Sequence, residues 1–149
     1  MTTPTHEPTE LEALAALILA TREFAAVLIG RTNPTAEQLP CAQLLAGGWE
    51  DRDDTDPALL LHRVNFTVRI IARDEDPQVR ARRLAILAHE ARFAVYGADL
   101  GRNTLPALTR ISRANPDPTE RHPNEAVTLY GEFTTLDPPD RDDPPGDPS

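Results

Sequence analysis

Residues 62–83, HRVNFTVRIIARDEDPQVRARR, decide the fold because two hydrophobic patterns meet within them. From His62 to Ala72 the apolar side chains recur at every second position, which is typical of a strand with one buried face. We therefore predict a long strand from about Leu59 to Arg73. Its buried side carries Val64, Phe66, Val68 and Ile70, and its other side carries Arg63, Arg69 and Arg73.

The second half of the stretch predicts a helix. Asp76 is a typical N-cap, and Pro77 suits the first helical turn. We expect the helix to end near Tyr96, with Gly97 as the stop. On a helical wheel the core side is formed by Leu84, Leu87, Ala88, Ala91 and Val95.

A second apolar row runs along nearly the opposite side of this helix. It consists of Val79, Ile86 and Phe93, which are spaced seven residues apart, and we call it the outer seam. A helix with one side on a sheet and the other in water does not need such a row. Two interpretations stay open: the first helix covers the outer seam, or a neighbouring subunit does.

The flanking sequence predicts one more helix and further strands. Thr9 and Glu12 form a capping-box pattern for a helix from about Glu10 to Ile29, stopped by Gly30. Three segments predict strands: CAQLLAGG, TLPALTRISRA and the alternating EAVTLYGEFTTL. Pro106 weakens the middle one and favours a sheet edge. The segment GGWEDRDDTDP predicts an acidic loop that begins at the glycines.

This order predicts an α+β fold. We expect a mainly antiparallel sheet of about four strands, with the N-terminal helix and one internal helix packed on it. Residues 9–136 would form a single domain. Residues 1–8 would be a flexible N-terminus, and residues 137–149 a disordered acidic, Pro-rich tail.

Composition restricts the function. The formal net charge is −9, and arginine supplies all 15 basic residues, so general nucleic-acid binding is disfavoured. The start MTTPTHEPTE lacks the positive charge of a secretory signal, and the apolar run 13–20 is too short to cross a membrane. We expect a soluble protein made in the cytoplasm, with no membrane partner.

The sequence offers no catalytic arrangement. It contains no glycine-rich phosphate loop and no serine in a nucleophile elbow. The four histidines lack metal-ligand spacing, and His89 and Glu90 diverge by about 100° on a helix. We therefore predict no catalytic, metal or cofactor-binding residues and no enzymatic activity. Trp49, the single tryptophan, is a candidate interface anchor.

The layout resembles the small tail-terminator, or tail-completion, proteins of long-tailed bacteriophages. The likeness runs over about residues 9–136, through the long strand ending in RDEDP, the LPALTRI strand and the final strand ending in FTTLD. It implies a structural protein of the virion, made in the host cytoplasm and placed at the head–tail junction. Such proteins form a ring, usually a homo-hexamer, that contacts the tail tube protein and the neck or connector protein. DNA passes the ring transiently and without specificity, and the resemblance implies no enzymatic activity and no cofactor.

In a ring, this chain would offer six side chains besides Trp49 to its neighbours. They are Val79, Ile86 and Phe93 of the outer seam, together with Arg63, Arg69 and Arg73 of the long strand. The arginines could meet an acidic surface such as residues 50–56 of a neighbour. Two alternatives remain: a neck adaptor or head-completion protein, and a small cytoplasmic binding module of non-viral role.

Overall fold

The structure, a computed structural model, describes residues 9–51, 60–101 and 104–137. The predicted flexible N-terminus, most of the predicted acidic loop and the predicted tail from residue 138 onward lie outside the described residues. Side chains are described for the same ranges except at positions 49–51, 60 and 137.

The described residues form an α+β fold, as predicted. Two helices, α1 (Glu10–Leu19) and α2 (Pro77–Val95), pack on one sheet of five strands. The strands are β1 (Ala26–Ile29), β2 (Cys41–Asp51), β3 (Leu60–Arg73), β4 (Arg110–Asp117) and β5 (Asn124–Asp137). Their order is β1-β2-β3-β5-β4, and every neighbouring pair is antiparallel except β1 with β2. The sheet is therefore mixed, with one strand more than expected.

Strands β3 and β5 form the centre of the sheet. They pair in one continuous antiparallel register, from Leu60 opposite Asp137 to Arg73 opposite Asn124. The bounds predicted for the long strand are confirmed to within one residue. Because side chains alternate along a strand, this register sends one row of each strand toward the helices.

The core lies between that row and the two helices. From β3 it contains Phe66, Val68 and Ile70, and the predicted inward residues Leu129 and Phe133 of β5 join them. The core side of α2 is confirmed, since Leu84, Leu87, Ala91 and Val95 are buried and Ala88 packs against them. Helix α1 contributes Leu14 and Ile18, both fully buried.

The predicted first helix from Glu10 to Ile29 is wrong in its second half. The capping box at Thr9 and Glu12 is present, but the helix ends at Leu19. Arg22 then adopts a positive φ of 64°, which breaks the helical path. Residues Ala26–Ile29 instead form β1, whose apolar side chains suit the place beside β2 better than a helix continued into solvent.

Two other boundaries differ from expectation. The glycines at 47 and 48 do not open a loop, because β2 continues to Asp51 and the two glycines mark a register shift opposite β3. The strand predicted around Pro106 begins later, since Pro106–Leu108 forms a 3-10 turn and β4 starts at Arg110. The expected edge position of this strand is confirmed.

The ring of Phe66 packs directly over Gly131 of β5, where an added Cβ atom would overlap Phe66 Cζ. The same atom would lie 2.9 Å from the Arg110 carbonyl oxygen, so neither side can simply yield. We expect Gly131→Ala to lower the free energy of unfolding by about 1–3 kcal/mol through overpacking.

Gly48→Ala is the matched control, because a Cβ there meets nothing within 4 Å and Gly48 also lies in a strand. Urea unfolding of both variants measures the difference. Equal stability of the two variants would contradict the close packing of Phe66 on Gly131.

Candidate assembly surfaces

The outer seam is exposed. Val79 is 40%, Ile86 51% and Phe93 75% exposed to solvent. The interpretation in which the first helix covers this row is therefore wrong. Helix α1 packs beside α2 and over β1 and β2, so it contributes to the core and leaves the far side of α2 open.

The apolar surface of α2 extends beyond the predicted row. Tyr96, directly after the helix, is 72% exposed. The ring of Phe93 stacks on that of His89, with 6.1 Å between centroids and 20° between planes. A shallow groove runs between these rings and Arg92. We call His89, Phe93 and Tyr96 the aromatic patch. A contiguous exposed apolar surface of this kind is typical of an interaction site.

The same side of α2 is positively charged. Arg82, Arg83 and Arg92 are exposed. Within the part of the chain that the structure describes, none of the three forms an ion pair or a side-chain hydrogen bond. Their charges are therefore available to an acidic partner.

Arg69 makes several polar contacts within its own chain. It lies on the sheet face that the helices leave uncovered, yet its side chain is only 20% exposed. Its Nε donates to Asp117 Oδ2 at 2.6 Å, and its Nη2 donates to Glu120 Oε2 at 2.6 Å. Further bonds go to Gln43 and Thr119. The acidic partners of Arg69 are thus in its own chain.

These bonds shift the pKa values of both partners. Burial alone raises the pKa of Asp117, but the hydrogen bonds from Arg69 and Thr119 outweigh it and lower the pKa to about 2. For Arg69, burial acts to lower the pKa, and the bonds to Asp117 and Glu120 raise it on balance. The ion pair is therefore charged throughout the neutral range.

Other arginines of this sheet face also have neighbours within the chain. Arg63 Nε lies 3.9 Å from Glu132 Oε1, and Arg110 Nη2 lies 3.2 Å from Glu132 Oε2. The guanidinium of Arg113 lies 4.3 Å from the centroid of the Tyr130 ring, a cation–π distance. Arg73 ends β3 and is exposed. Of the three arginines proposed for an interface, Arg69 is the one committed to the fold.

Trp49 lies in β2, where its backbone pairs with Val64 of β3. Its side chain lies outside the described part, so its proposed role as an anchor stays a prediction.

Sequence reasoning missed Arg80, which is 8% exposed on the core side of α2. Its Nε donates to Glu125 Oε1 at 2.8 Å, and its Nη1 donates to the Asp74 carbonyl at 2.9 Å. The same Nη1 lies 2.9 Å from His122 Nδ1. Arg80 thus joins the start of α2 to the turn before β5. The sequence does place Arg80 on the core side of the helix, because Arg80 precedes Leu84 and Leu87 by four and seven residues.

The described residues contain little reactive chemistry. Cys41 is fully buried, and burial raises the pKa of its thiol to about 11. No group of three His, Cys, Asp or Glu side chains within the described ranges is placed to hold a metal ion. No helix among these residues has the length and apolar character needed to cross a membrane.

The fold is shared with a known particle protein. A chain of the virion of a native gene transfer agent particle superposes on 83% of this chain and 84% of its own length, with a TM-score of 0.51. The two sequences are 19% identical, so the likeness shows the fold. No protein-family profile and no curated protein matches the sequence.

The ion pair of Arg69 and Asp117 predicts a dependence of stability on pH. The folded state holds the pKa of Asp117 at about 2, below its ordinary value of 3.8. The stabilisation is therefore present at neutral pH and is lost as the pH falls from about 4 toward 2. We expect Asp117→Asn to lower the free energy of unfolding by about 1–2 kcal/mol at pH 7.

We also expect that loss to shrink as the pH approaches 2. Urea unfolding at pH 7, 4 and 2.5 tests this, with Glu23→Gln as the control because Glu23 is exposed and has no ion pair within the described residues. A loss that stays constant over this pH range would rule out the ion pair as its cause.

Proposed function

We propose that this protein is a structural component of a phage-like virion, and specifically the ring that caps the tail tube and joins it to the neck. The observation that carries the proposal is the fold, which matches a chain of a gene transfer agent virion over most of both chains. The order of helices and strands that resembles tail-terminator proteins supports the finer assignment. In this role the protein acts by assembly, without catalysis.

The outer seam supplies the first contact of the ring. A monomer gains nothing from exposing Ile86 and Phe93 at 51% and 75%, whereas burial against a neighbour removes that apolar surface from water. Exposed arginines surround the row, which gives the usual arrangement of an apolar centre with a polar rim.

A ring also needs a second and different surface, because its subunits contact each other head to tail. We assign this surface to the uncovered face of the sheet, where Arg63 and Arg73 lie, with Trp49 of β2 as a further proposed contact. A closed ring of such contacts, with six subunits as in the resembling family, leaves a central opening through which DNA passes.

A neck adaptor or head-completion protein is the nearest alternative, since it too is a ring-forming virion protein. The two roles differ in the surface that the ring binds. Purified chain that stops the growth of tail tubes acts as a terminator. Chain that binds only the head connector acts in the neck.

The double variant Ile86→Asp/Phe93→Asp tests the role of the outer seam. Because both side chains are exposed, we expect the free energy of unfolding to change by only about 1 kcal/mol. We expect the variant to remain monomeric in native mass spectrometry and to lose tube capping in negative-stain images. Two charges placed in an apolar contact account for this loss.

Two controls frame this experiment. Ala81→Asp/Ala85→Asp adds the same charges at exposed positions of α2 away from the outer seam, and it should assemble normally. Leu87→Asp places a charge at a position that is 2% exposed, and it should lose about 3–5 kcal/mol of stability. Normal capping by Ile86→Asp/Phe93→Asp would remove the outer seam from the interface. Failure of the unmodified chain to bind either tubes or connectors would overturn the virion role.

A further inference from the structure

Charge is distributed unevenly along this chain. Residues 138–149 carry four aspartates and one arginine, which gives −3 in twelve residues. Residues 77–95 of α2 carry four arginines and one glutamate, which gives +3. The most acidic end of the chain and its most basic helix are therefore complementary in sign and equal in size.

Two arginines of α2, Arg82 and Arg92, are placed to receive the acidic segment. Arg69, Arg63 and Arg110 of the sheet already lie near carboxylates of their own chain. By contrast, Arg82 and Arg92 are exposed and form no ion pair with another described residue. The electrostatic attraction of an acidic segment to these two charges is stronger than to charges that are already neutralised by a carboxylate.

The aromatic patch lies beside Arg92 and suits the prolines of the acidic segment. Residues 138–149 contain five prolines, Pro138, Pro139, Pro144, Pro145 and Pro148, and no large apolar side chain. Proline-rich segments bind aromatic-lined grooves in an extended conformation. Phe93 and Tyr96 are 75% and 72% exposed and border the groove that also contains Arg92 and His89.

The segment also starts at the right place. The Gly97 amide, just after α2, donates to the Thr109 carbonyl at 2.9 Å, and the next residue, Arg110, pairs with Glu132 of β5. Strand β5 ends five residues later at Asp137, so the end of α2 lies within about 17 Å along the strand direction. Twelve residues reach up to about 40 Å when extended, which is more than enough.

We propose that residues 138–149 bind the aromatic patch of their own subunit, with prolines on Phe93 and Tyr96 and aspartates beside Arg82 and Arg92. Binding within one subunit is favoured over binding to another because a short tether gives an effective concentration in the millimolar range. The inference goes beyond the proposed ring and concerns the free subunit. In that state the bound segment covers part of the apolar surface that the outer seam exposes.

A spin label tests this directly. Cys41 is fully buried with a raised pKa, so Ser149→Cys introduces the reactive thiol for a nitroxide label. In dilute, isotope-labelled chain we expect amide signals of residues 86–97 to lose more than half of their intensity. The signals of β1, at the far edge of the sheet, should keep most of theirs. Reduction of the nitroxide should restore all signals.

Two pairs of substitutions separate the contact from mere proximity. Arg82→Gln/Arg92→Gln should abolish at least half of the intensity loss, and so should Phe93→Ala. Arg31→Gln/Arg121→Gln removes the same charge from exposed positions outside α2 and should leave the loss unchanged. In 0.5 M salt the loss should fall, because screening weakens exposed charge pairs.

Three outcomes would overturn the proposal. The first is no intensity loss in α2, and the second is the same intensity loss in the Arg82→Gln/Arg92→Gln variant as in the Arg31→Gln/Arg121→Gln variant. The third is an intensity loss that appears only when spin-labelled chain is mixed with chain that carries no spin label. The last result would assign the segment to a neighbouring subunit. None of these results depends on tubes or rings, so this proposal and the proposed function fail independently.

Discussion

The antiparallel pairing of β3 with β5 is the constraint on which the rest of this structure depends. Fourteen residue pairs run without a register shift, and every other strand joins one side of this pair. A slip of one residue would turn Phe66, Val68 and Ile70 away from the helices and bring Arg69 into the core. The contact between Phe66 and Gly131 helps to hold the register, because a larger residue at position 131 meets the ring.

Helix α2 shows how one segment serves two purposes. Leu84, Leu87 and Val95 fix it to the sheet, and the core they join is complete without the opposite side. The outer seam and the aromatic patch are therefore available for contacts outside the described fold. Exposing apolar surface to water is unfavourable in free energy. Its presence on an otherwise charged helix therefore indicates a surface that binds a partner.

The arginines of this chain illustrate how context changes the role of one residue type. Arg80 is buried and joins two loops, Arg69 is half-buried in an ion pair, and Arg82 is exposed. All three belong to the same stretch of sequence. A buried guanidinium is tolerated where carboxylates and carbonyls satisfy its donors, and the carboxylates here come from residues 117–125. Local sequence does not reveal this pairing, because the partners lie more than 40 residues away.

The candidate site was predictable to the extent that it is local. The spacing of Val79, Ile86 and Phe93 identified the outer seam, because helical period places these residues together whatever surrounds them. Whether α1 covers the outer seam depends on where α1 packs, and only the fold shows that the outer seam is exposed. Tyr96 was missed because the outer seam was defined by a spacing of seven residues, and Tyr96 lies three residues after Phe93.

The sequence by itself determined the long strand, the capped helix after it, the core side of that helix and the α+β class, because these depend on alternation, helical period and capping. Tertiary structure decided what these signals leave open. It made residues 26–29 a strand, since a place beside β2 was available for an apolar segment that is equally compatible with a helix. It also gave Arg69 acidic partners within its own chain, since Asp117 and Glu120 approach it when β4 pairs with β5.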